Sequence, residues 1–564
     1  MSRVSFVGKN VVLDVPAGTT ILEAARRAGI RIESPCNGEG KCGKCRIYVE
    51  QLEPAGAVLI PAGETGQNAA AGEAGVNDYV LACLSCIDGD LKIHLDDAER
   101  ESVRILSEGR GFSHEISPPV RKEYDAAEGL TRVFVGDERF SEPGDSSGEA
   151  YGVVADIGTT TLVAALIDLA SGRELASESA LNPQTEHAQD VLSRVKIASE
   201  PEGLDTLYRG ISRELNRMIA ELSQRAGVDR EHIYEVVFSG NTCMLHLAVG
   251  VSPEPIGMYP YTPALMGACY EPASRHGLRV SPFGRIYLPP VISAYVGADI
   301  SSGILASRLF DRRGTTLFMD IGTNGEMVIS RDGELSATST AAGPAFEGMN
   351  IESGMRAAAG AIELVEIDGE GRVSLGTVEG APPVGICGSG LLDAAGELVR
   401  RGYVGASGRF ARPDGAEGGD GPPDPEGRLE RDGRGKLRYR LADGVWLTQN
   451  DLRQVQLAKG AIRAGIDLLL ESLSLSAEDV DRVQIAGSFG YHIREQSLFH
   501  ISLLPESFKG SVEFVGNTSK AGGEILLLNE GYRRMMEETA RAVRVVELAN
   551  DQNFEKVFVR SLRF

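Results

Sequence analysis

Apolar residues along this chain change their spacing several times, and each change marks an element. RVSFVGKNVVLDVP (3–16) predicts a strand hairpin. TTILEAARRAG (19–29) switches to helical spacing; Thr20 and Glu23 form a capping-box pattern at its start and Gly29 a stop. A glycine-rich cysteine loop and a further strand follow. From Tyr151 onward the pattern repeats itself. YGVVADIGTTTLVAALIDL (151–169) is echoed by TLFMDIGTNGEMVIS (316–330), each an apolar strand that runs into Asp-Ile-Gly-Thr and turns straight into another strand. The two aspartates, Asp156 and Asp320, lie 164 residues apart, the size of one α/β half. Between these regions, residues 97–150 are charged and turn-rich, ending in FSEPGDSSGEA, and are expected to be a linker with little structure. Pro61–Asp78 and Pro413–Gly435 read as loops, the second too poor in apolar residues to fold alone.

Composition narrows the classes. A 42% hydrophobic and 24% charged chain of 564 residues is ordinary for a soluble globular protein with room for several units. No apolar run reaches 18 residues and MSRVSFVGKN has no apolar signal core, so neither membrane nor export is expected and the cytoplasm is. The net charge of −23 argues against nucleic acid as a partner. Eight cysteines over this length do not make a disulfide framework.

Four of those cysteines carry the sharpest chemistry. Cys36, Cys42 and Cys45 lie in a loop reading SPCNGEGKCGKCRIYV, and Cys83 follows 38 residues after Cys45. Gly38, Gly40 and Gly43 relieve Cβ crowding, so the backbone can wrap an inorganic core and donate N–H groups to its sulfurs. Four thiolates in this order suit a two-iron cluster. The rival is zinc held by two Cys-x-x-Cys knuckles, Cys42/Cys45 and Cys83/Cys86, which would leave Cys36 unused. Cys243, Cys269 and Cys387 read as buried thiols, and His246 as a satisfied core histidine. The eight histidines show no metal spacing, so no second metal site is expected.

Residues 1–96 resemble the [2Fe–2S] ferredoxins in the order of strand pair, helix, cysteine loop and strand. The Cys-x5-Cys spacing is closer to the adrenodoxin branch than to the plant type. The resemblance implies a β-grasp domain with a [2Fe–2S] cluster on Cys36, Cys42, Cys45 and Cys83, and leaves Cys86 a free thiol.

The repeated hairpins carry a second chemistry. Such a turn points backbone N–H groups and a Thr hydroxyl into one cleft, where they can hold phosphate oxygens. An aspartate there can hold Mg²⁺ through its water shell. The arrangement resembles the actin, sugar-kinase and Hsp70 superfamily, a duplicated ribonuclease H-like ATPase fold, with halves at about 151–314 and 315–564. That resemblance implies ATP and Mg²⁺ as cofactors. It places one phosphate loop at Asp156, Gly158, Thr159 and Thr160, and the other at Asp320, Gly322, Thr323 and Asn324. VQIAGSFGYHI supplies an adenosine loop with Gly487, Ser488 and Gly490. VGICGSGLLDAAGELV puts Gly388, Ser389 and Gly390 at a helix start, where nucleotide contact and tight helix–strand packing are both open. Glu326, six residues past Asp320, is a candidate catalytic group for orienting the attacking water. Neither a Walker A nor a Rossmann motif is present.

Several phrases resemble one subfamily more closely: NPQTEHAQDVLSR (182–194), FSGNTCMLHLAVG (238–250), ISAYVGADI (292–300), TAAGPAFEGMNI (340–351), ICGSGLLDA (386–394) and QLAKGAI (456–462). They are similar to the reductive activators of corrinoid enzymes, which join a ferredoxin to an ATPase. The resemblance implies an ATP-hydrolysing electron-transfer activator that returns a Co(II) corrinoid to Co(I). Its partners would be a corrinoid protein or corrinoid methyltransferase and a low-potential electron donor, with a homodimer compatible. Two departures stand out. The stretch between ferredoxin and ATPase leaves little room for the middle domain of some relatives, and the tail has no cysteine for a second cluster. A small-molecule kinase with a redox-sensing ferredoxin, and a regulatory or chaperone-like ATPase with a structural cluster, stay open as other classes.

Overall fold

A computed structural model describes residues 2–7, 11–28, 30, 32, 45–51, 78–94, 112, 114–411, 422–487, 493–548 and 551–564. The chain divides into two compact units: Met1–Ser102 with Pro183–Gln189, and Val103–Asn182 with Asp190–Phe564.

In the first unit, β1 (Ser2–Val7), β2 (Val11–Val15), β3 (Arg46–Gln51), β4 (Asp78–Leu81) and β5 (Leu91–His94) form one sheet in the order β2-β1-β5-β3-β4. The hairpin pairs antiparallel, Val4 opposite Leu13, while β1 and β5 run parallel. Helix α1 (Ile21–Arg27) lays Ile21, Leu22, Ala24 and Ala25 on this sheet, against Val4, Phe6, Val49 and Ile93. This is a β-grasp. The Thr20 hydroxyl caps α1 by accepting from the Glu23 amide, but the Glu23 carboxylate pairs with Arg27 instead of closing the capping box. Gly29 and most of the Pro61–Asp78 loop lie outside the described residues.

The second unit opens with a correction. The segment read as a linker holds an antiparallel meander of β6 (Val120–Asp125), β7 (Leu130–Val135) and β8 (Glu138–Pro143). Val120, Val133 and Val135 are buried, and Lys122 bonds Glu142 and Tyr234 beneath the sheet. Its outer face is charged, and the alternation of the two faces made the composition look like a linker.

Two larger sheets follow one plan. The first takes β9 (Tyr151–Ile157), β10 (Thr161–Asp168), β11 (Glu174–Leu181), β12 (Ile233–Gly240), β13 (Cys269–Pro272) and β14 (Arg285–Leu288) in the order β11-β10-β9-β12-β14-β13. The second takes β15 (Thr315–Ile321), β16 (Gly325–Arg331) and β17 (Glu334–Thr340), then β24 (Arg482–Ala486), β25 (Val512–Gly516) and β26 (Arg544–Val545), in the order β25-β24-β15-β16-β17-β26. In each, three antiparallel strands are followed by parallel pairing, β9 with β12 and β15 with β24. The repeat reaches single atoms. A Cβ on Gly240 would lie 2.6 Å from the Ile157 carbonyl oxygen, and one on Gly487 2.6 Å from that of Ile321. Both glycines have positive φ and let a neighbouring strand end press against a DIGT turn.

Smaller sheets decorate the second half: β18 (Ala361–Ile367), β19 (Val373–Thr377) and β20 (Gly385–Ile386), then β21 (Leu429–Arg431), β22 (Leu437–Ala442) and β23 (Val445–Thr448). Strand β21 falls within the stretch expected to be loop; Leu429 packs on the core there, while 412–421 lie outside the described residues. Around the sheets run α2 (Val191–Ala198), α3 (Pro201–Ala226), α4 (Thr242–Ala248), α5 (Ala298–Ala306), α6 (Gly388–Arg400), α7 (Gln449–Ser472), α8 (Glu495–His500), α9 (Thr518–Leu528), α10 (Glu530–Ala542) and α11 (Phe554–Ser561). Helices α5 and α9 cross closely; a Cβ on Gly522 would meet the Ser302 carbonyl oxygen at 2.0 Å. Among the described residues no helix is long and apolar enough to cross a membrane.

Candidate functional site

Cys45 precedes β3 and Cys83 follows β4, and the β3–β4 pairing brings them together with their sulfurs 3.2 Å apart, both buried and neither in a disulfide. Two thiolates on one tetrahedral metal with bonds of about 2.3 Å stand roughly 3.7 Å apart, so this pair is aimed at one centre. Cys36 and Cys42 lie outside the described residues. Cys86 is a partly buried free thiol whose backbone bridges to Thr20. The donors present fit a thiolate-held cluster.

The DIGT turns end β9 and β15. Asp156 is fixed by two donors from the far end of the chain: Asn517 Nδ2 to Oδ2 and Ser519 Oγ to Oδ1, both at 2.8 Å. Asn517 itself caps α9 by accepting from the Lys520 amide, so one loop both starts a helix and holds the aspartate. Burial raises the Asp156 pKa, while Ser519, Asn517 and Lys520 oppose that rise. In the same turn, Asn241 Nδ2 donates to Thr159 Oγ1 at 3.0 Å, and Asn241 caps α4. Asn182 and Arg194, the ends of the 182–194 phrase, donate to the carbonyls of Gly158 (2.8 Å) and Thr159 (2.5 Å). Arg194 is fully buried, and burial lowers its pKa to about 10.

The Asp320 turn differs. Among the described residues no side chain donates a hydrogen bond to Asp320; instead it faces other carboxylates. Strand register puts Glu326 directly across from it, and Asp299 stands in the first turn of α5. Burial and the Asp156 charge push Asp320 up to about 7. Burial, Asp320 and Asp156 push Asp299 up to about 8. Glu326 is raised well above the usual carboxylate range by burial, Asp299 and Asp320. Burial and mutual repulsion favour the protonated forms of these acids, and a cation beside them would reverse that. No three Asp, Glu, His or Cys side chains among the described residues converge closely enough to hold an ion directly.

Between the two turns lies Glu347, at the end of the Pro344–Glu347 turn. One of its carboxylate oxygens accepts from Thr160 Oγ1 and the other from Thr323 Oγ1. Asn324 hydrogen-bonds Glu326, and the Gly343 amide donates to the Thr323 carbonyl at 2.8 Å.

The other expected residues divide. Gly388 packs against the 344–347 turn, where a Cβ would lie 1.8 Å from the Phe346 oxygen, and Gly390 against β18, 2.1 Å from the Ile362 oxygen, so close backbone packing accounts for both glycines. Ser389 is buried between them beside Cys387. Gly487 sits against Ile321, while Ser488 and Gly490 lie outside the described residues. His246 is fully buried and satisfied, Nδ1 against the Thr242 carbonyl at 2.7 Å and Nε2 accepting from the Ala264 and Leu265 amides.

Sequence reading did not single out Asp299, Glu347, Asn241 or Asn517. A signal for the asparagines was there: FSGNTCM (238–244) and FVGNTSK (514–520) share a strand–Gly–Asn-cap–helix pattern.

A thiolate-bearing β-grasp and a duplicated DIGT fold on one chain define an iron–sulfur protein joined to an ATPase-type domain of the actin, Hsp70 and sugar-kinase superfamily. Family models match in three stretches: the 2Fe-2S iron-sulfur cluster binding domain at 5–88, the RACo middle region at 151–312, and the C-terminal domain of RACo, the ASKHA domain, at 314–564. The middle region therefore coincides with the first of the two large sheets rather than with the stretch before it. A solved structure titled "Reductive activator for corrinoid,iron-sulfur protein" is 30% identical, covers 100% of this chain and 98% of its own, and superposes with a TM-score of 0.72. The corrinoid activation enzyme RamQ of Eubacterium limosum is 29% identical over 602 residues, with 100% of this chain and 99% of that protein covered. A [Co(II) methylated amine-specific corrinoid protein] reductase of Methanosarcina barkeri is 24% identical over 448 residues, covering 73% and 77%. The chain belongs to the RACo family of corrinoid reductive activators.

Proposed function

We propose that this protein spends ATP to pass a low-potential electron from a [2Fe–2S] cluster to the Co(II) corrinoid of a partner protein, restoring Co(I). The observation that carries the reading is the union, on one chain, of a converging buried thiolate pair with two DIGT hairpins joined through Glu347. A ferredoxin alone moves electrons downhill, and an ATPase alone moves domains. Together they can drive an electron uphill, where a gap of roughly 200 mV costs about 4.6 kcal/mol.

Cys36, Cys42, Cys45 and Cys83 hold the cluster, which when bound supplies a one-electron donor. Thr159, Thr160, Thr323, Asn324 and the backbone amides of both turns bind the phosphates of ATP, and Asp156 and Asp320 orient the waters of a Mg²⁺ ion. Gly487 and Ser488 border the adenosine. Glu326 orients water at the terminal phosphate. A reducing, cytoplasmic setting suits thiolates that must stay free of disulfides.

The test is the partner's effect on hydrolysis. ATP turnover by the full chain should be slow alone and rise when a Co(II) corrinoid protein is added, because an uncoupled ATPase would waste nucleotide. Turnover unchanged by that protein contradicts the reading. Cys83→Ser should abolish the visible cluster spectrum and Cys86→Ser leave it intact; the reverse pattern overturns the ligand set.

A further inference from the structure

We propose that Glu347 is the residue through which the site senses a terminal phosphate: its carboxylate bridges the two phosphate hairpins, and ATP, but not ADP, must displace it. The proposal rests on the nucleotide reading of the cleft.

The bridge is built in. Glu347 takes one hydroxyl from each repeat, Thr160 from the first and Thr323 from the second. Its position is set by the backbone. Gly343 and Gly348, on either side of the turn, have φ of 79° and 77°, and a Cβ on Gly348 would meet the Met355 carbonyl oxygen at 2.4 Å. Phe346, the preceding residue, is fully buried, and its carbonyl presses on Gly388 at the start of α6. The carboxylate is therefore delivered to the cleft by a loop anchored on the second half.

Two threonine hydroxyls converging on one carboxyl make a phosphate-like site, occupied by a group of the protein's own; burial raises the Glu347 pKa, while Thr160, Thr323, Arg356 and Arg194 oppose the rise. A phosphate oxygen and the Glu347 carboxyl cannot occupy the same two hydroxyls at once. A nucleotide whose last phosphate reaches between the turns must take over both hydroxyls and expel Glu347. A nucleotide one phosphate shorter leaves the bridge in place. Nucleotide state thereby becomes a state of the 341–356 loop, which is the kind of two-position element that coupling to a partner requires.

Binding of ADP and of the non-hydrolysable analogue AMP-PNP, each with Mg²⁺, is measured calorimetrically on the full chain with its cluster, for the parent, Glu347→Gln and Glu347→Ala. Losing hydrogen bonds to a charged group is worth about tenfold or more in binding. Both variants should bind AMP-PNP about tenfold more tightly than the parent, with ADP affinity within about twofold. In the parent, amide exchange across 341–356 should speed up with AMP-PNP and not with ADP. Equal changes for both nucleotides, or none, overturn the proposal; so does slower ATP turnover at unchanged affinity, which would make Glu347 a hydrolytic group. If the parent binds neither nucleotide, the nucleotide reading itself fails. If it binds both and Glu347→Gln matches it, only the bridge fails.

Discussion

The two DIGT hairpins share a sequence and a strand plan but not an electrostatic setting. Asp156 is clamped by Asn517 and Ser519, which come from residues more than 350 positions downstream. Asp320 has no such clamp among the described residues and stands with Asp299 and Glu326 in an excess of negative charge. Duplication thus supplied two equivalent turns, and the loops around them made one a fixed anchor and left the other facing carboxylates.

The largest effect should fall on both turns alike. Asp156→Ala and Asp320→Ala should each cut ATP turnover about 100-fold or more, the usual scale for losing a group that supports transition-state charge. Parent-like turnover in both would place the nucleotide elsewhere.

Stability should then separate the two. In the absence of metal and nucleotide, Asp156→Ala strands the Asn517 and Ser519 donors and should cost about 1–3 kcal/mol in urea unfolding. Asp320→Ala removes a buried, repelled carboxylate and should be neutral or stabilising above pH 7. Equal losses in the two variants would break the distinction.

A pH series sharpens it. Asp320 and Asp299 have folded pKa values raised to about 7 and about 8, so the native state binds protons more tightly than the unfolded chain. Their favourable contribution is fully present below the unfolded values near 4 and is lost as pH rises through 7 and 8. Metal-free protein should therefore melt a few degrees lower at pH 8.5 than at pH 6. Mg²⁺ or Asp299→Asn should flatten that slope. A slope untouched by either would remove the acidic group as its cause.

The smallest effect concerns the helix caps beside each turn. Asn241→Ala and Asn517→Ala each remove an N-cap and should cost about 1 kcal/mol. Only Asn517→Ala should also shift the titration of Asp156, readable by carboxyl-carbon chemical shifts; identical shifts would erase the asymmetry.

How much of this was open to sequence reading follows from range. The DIGT repeat is local, so its two turns, their strand pairing and Glu326 opposite Asp320 could be read from spacing. The thiolate loop was equally local. The clamp on Asp156 was not, because it joins β9 to the start of α9 across most of the domain. Glu347 lay in plain view in TAAGPAFEGMNI, but its reach to Thr160 depends on a turn set by Gly343 and Gly348. The 120–143 meander was hidden because its inner face sets Lys122 and Glu142 among only three buried valines, while Arg121, Glu123 and Arg132 take the outer face.

If the ATPase domain drives electron delivery from the ferredoxin domain, cobalt reduction must depend on ATP. The direct measurement mixes the dithionite-reduced protein, freed of excess reductant, with a Co(II) corrinoid protein and follows the cobalt absorption. With Mg²⁺ and ATP the Co(I) band should appear as the cluster reoxidises. Without ATP, or with Asp320→Ala, it should stay near baseline. Cobalt reduction proceeding equally well without ATP would contradict the account.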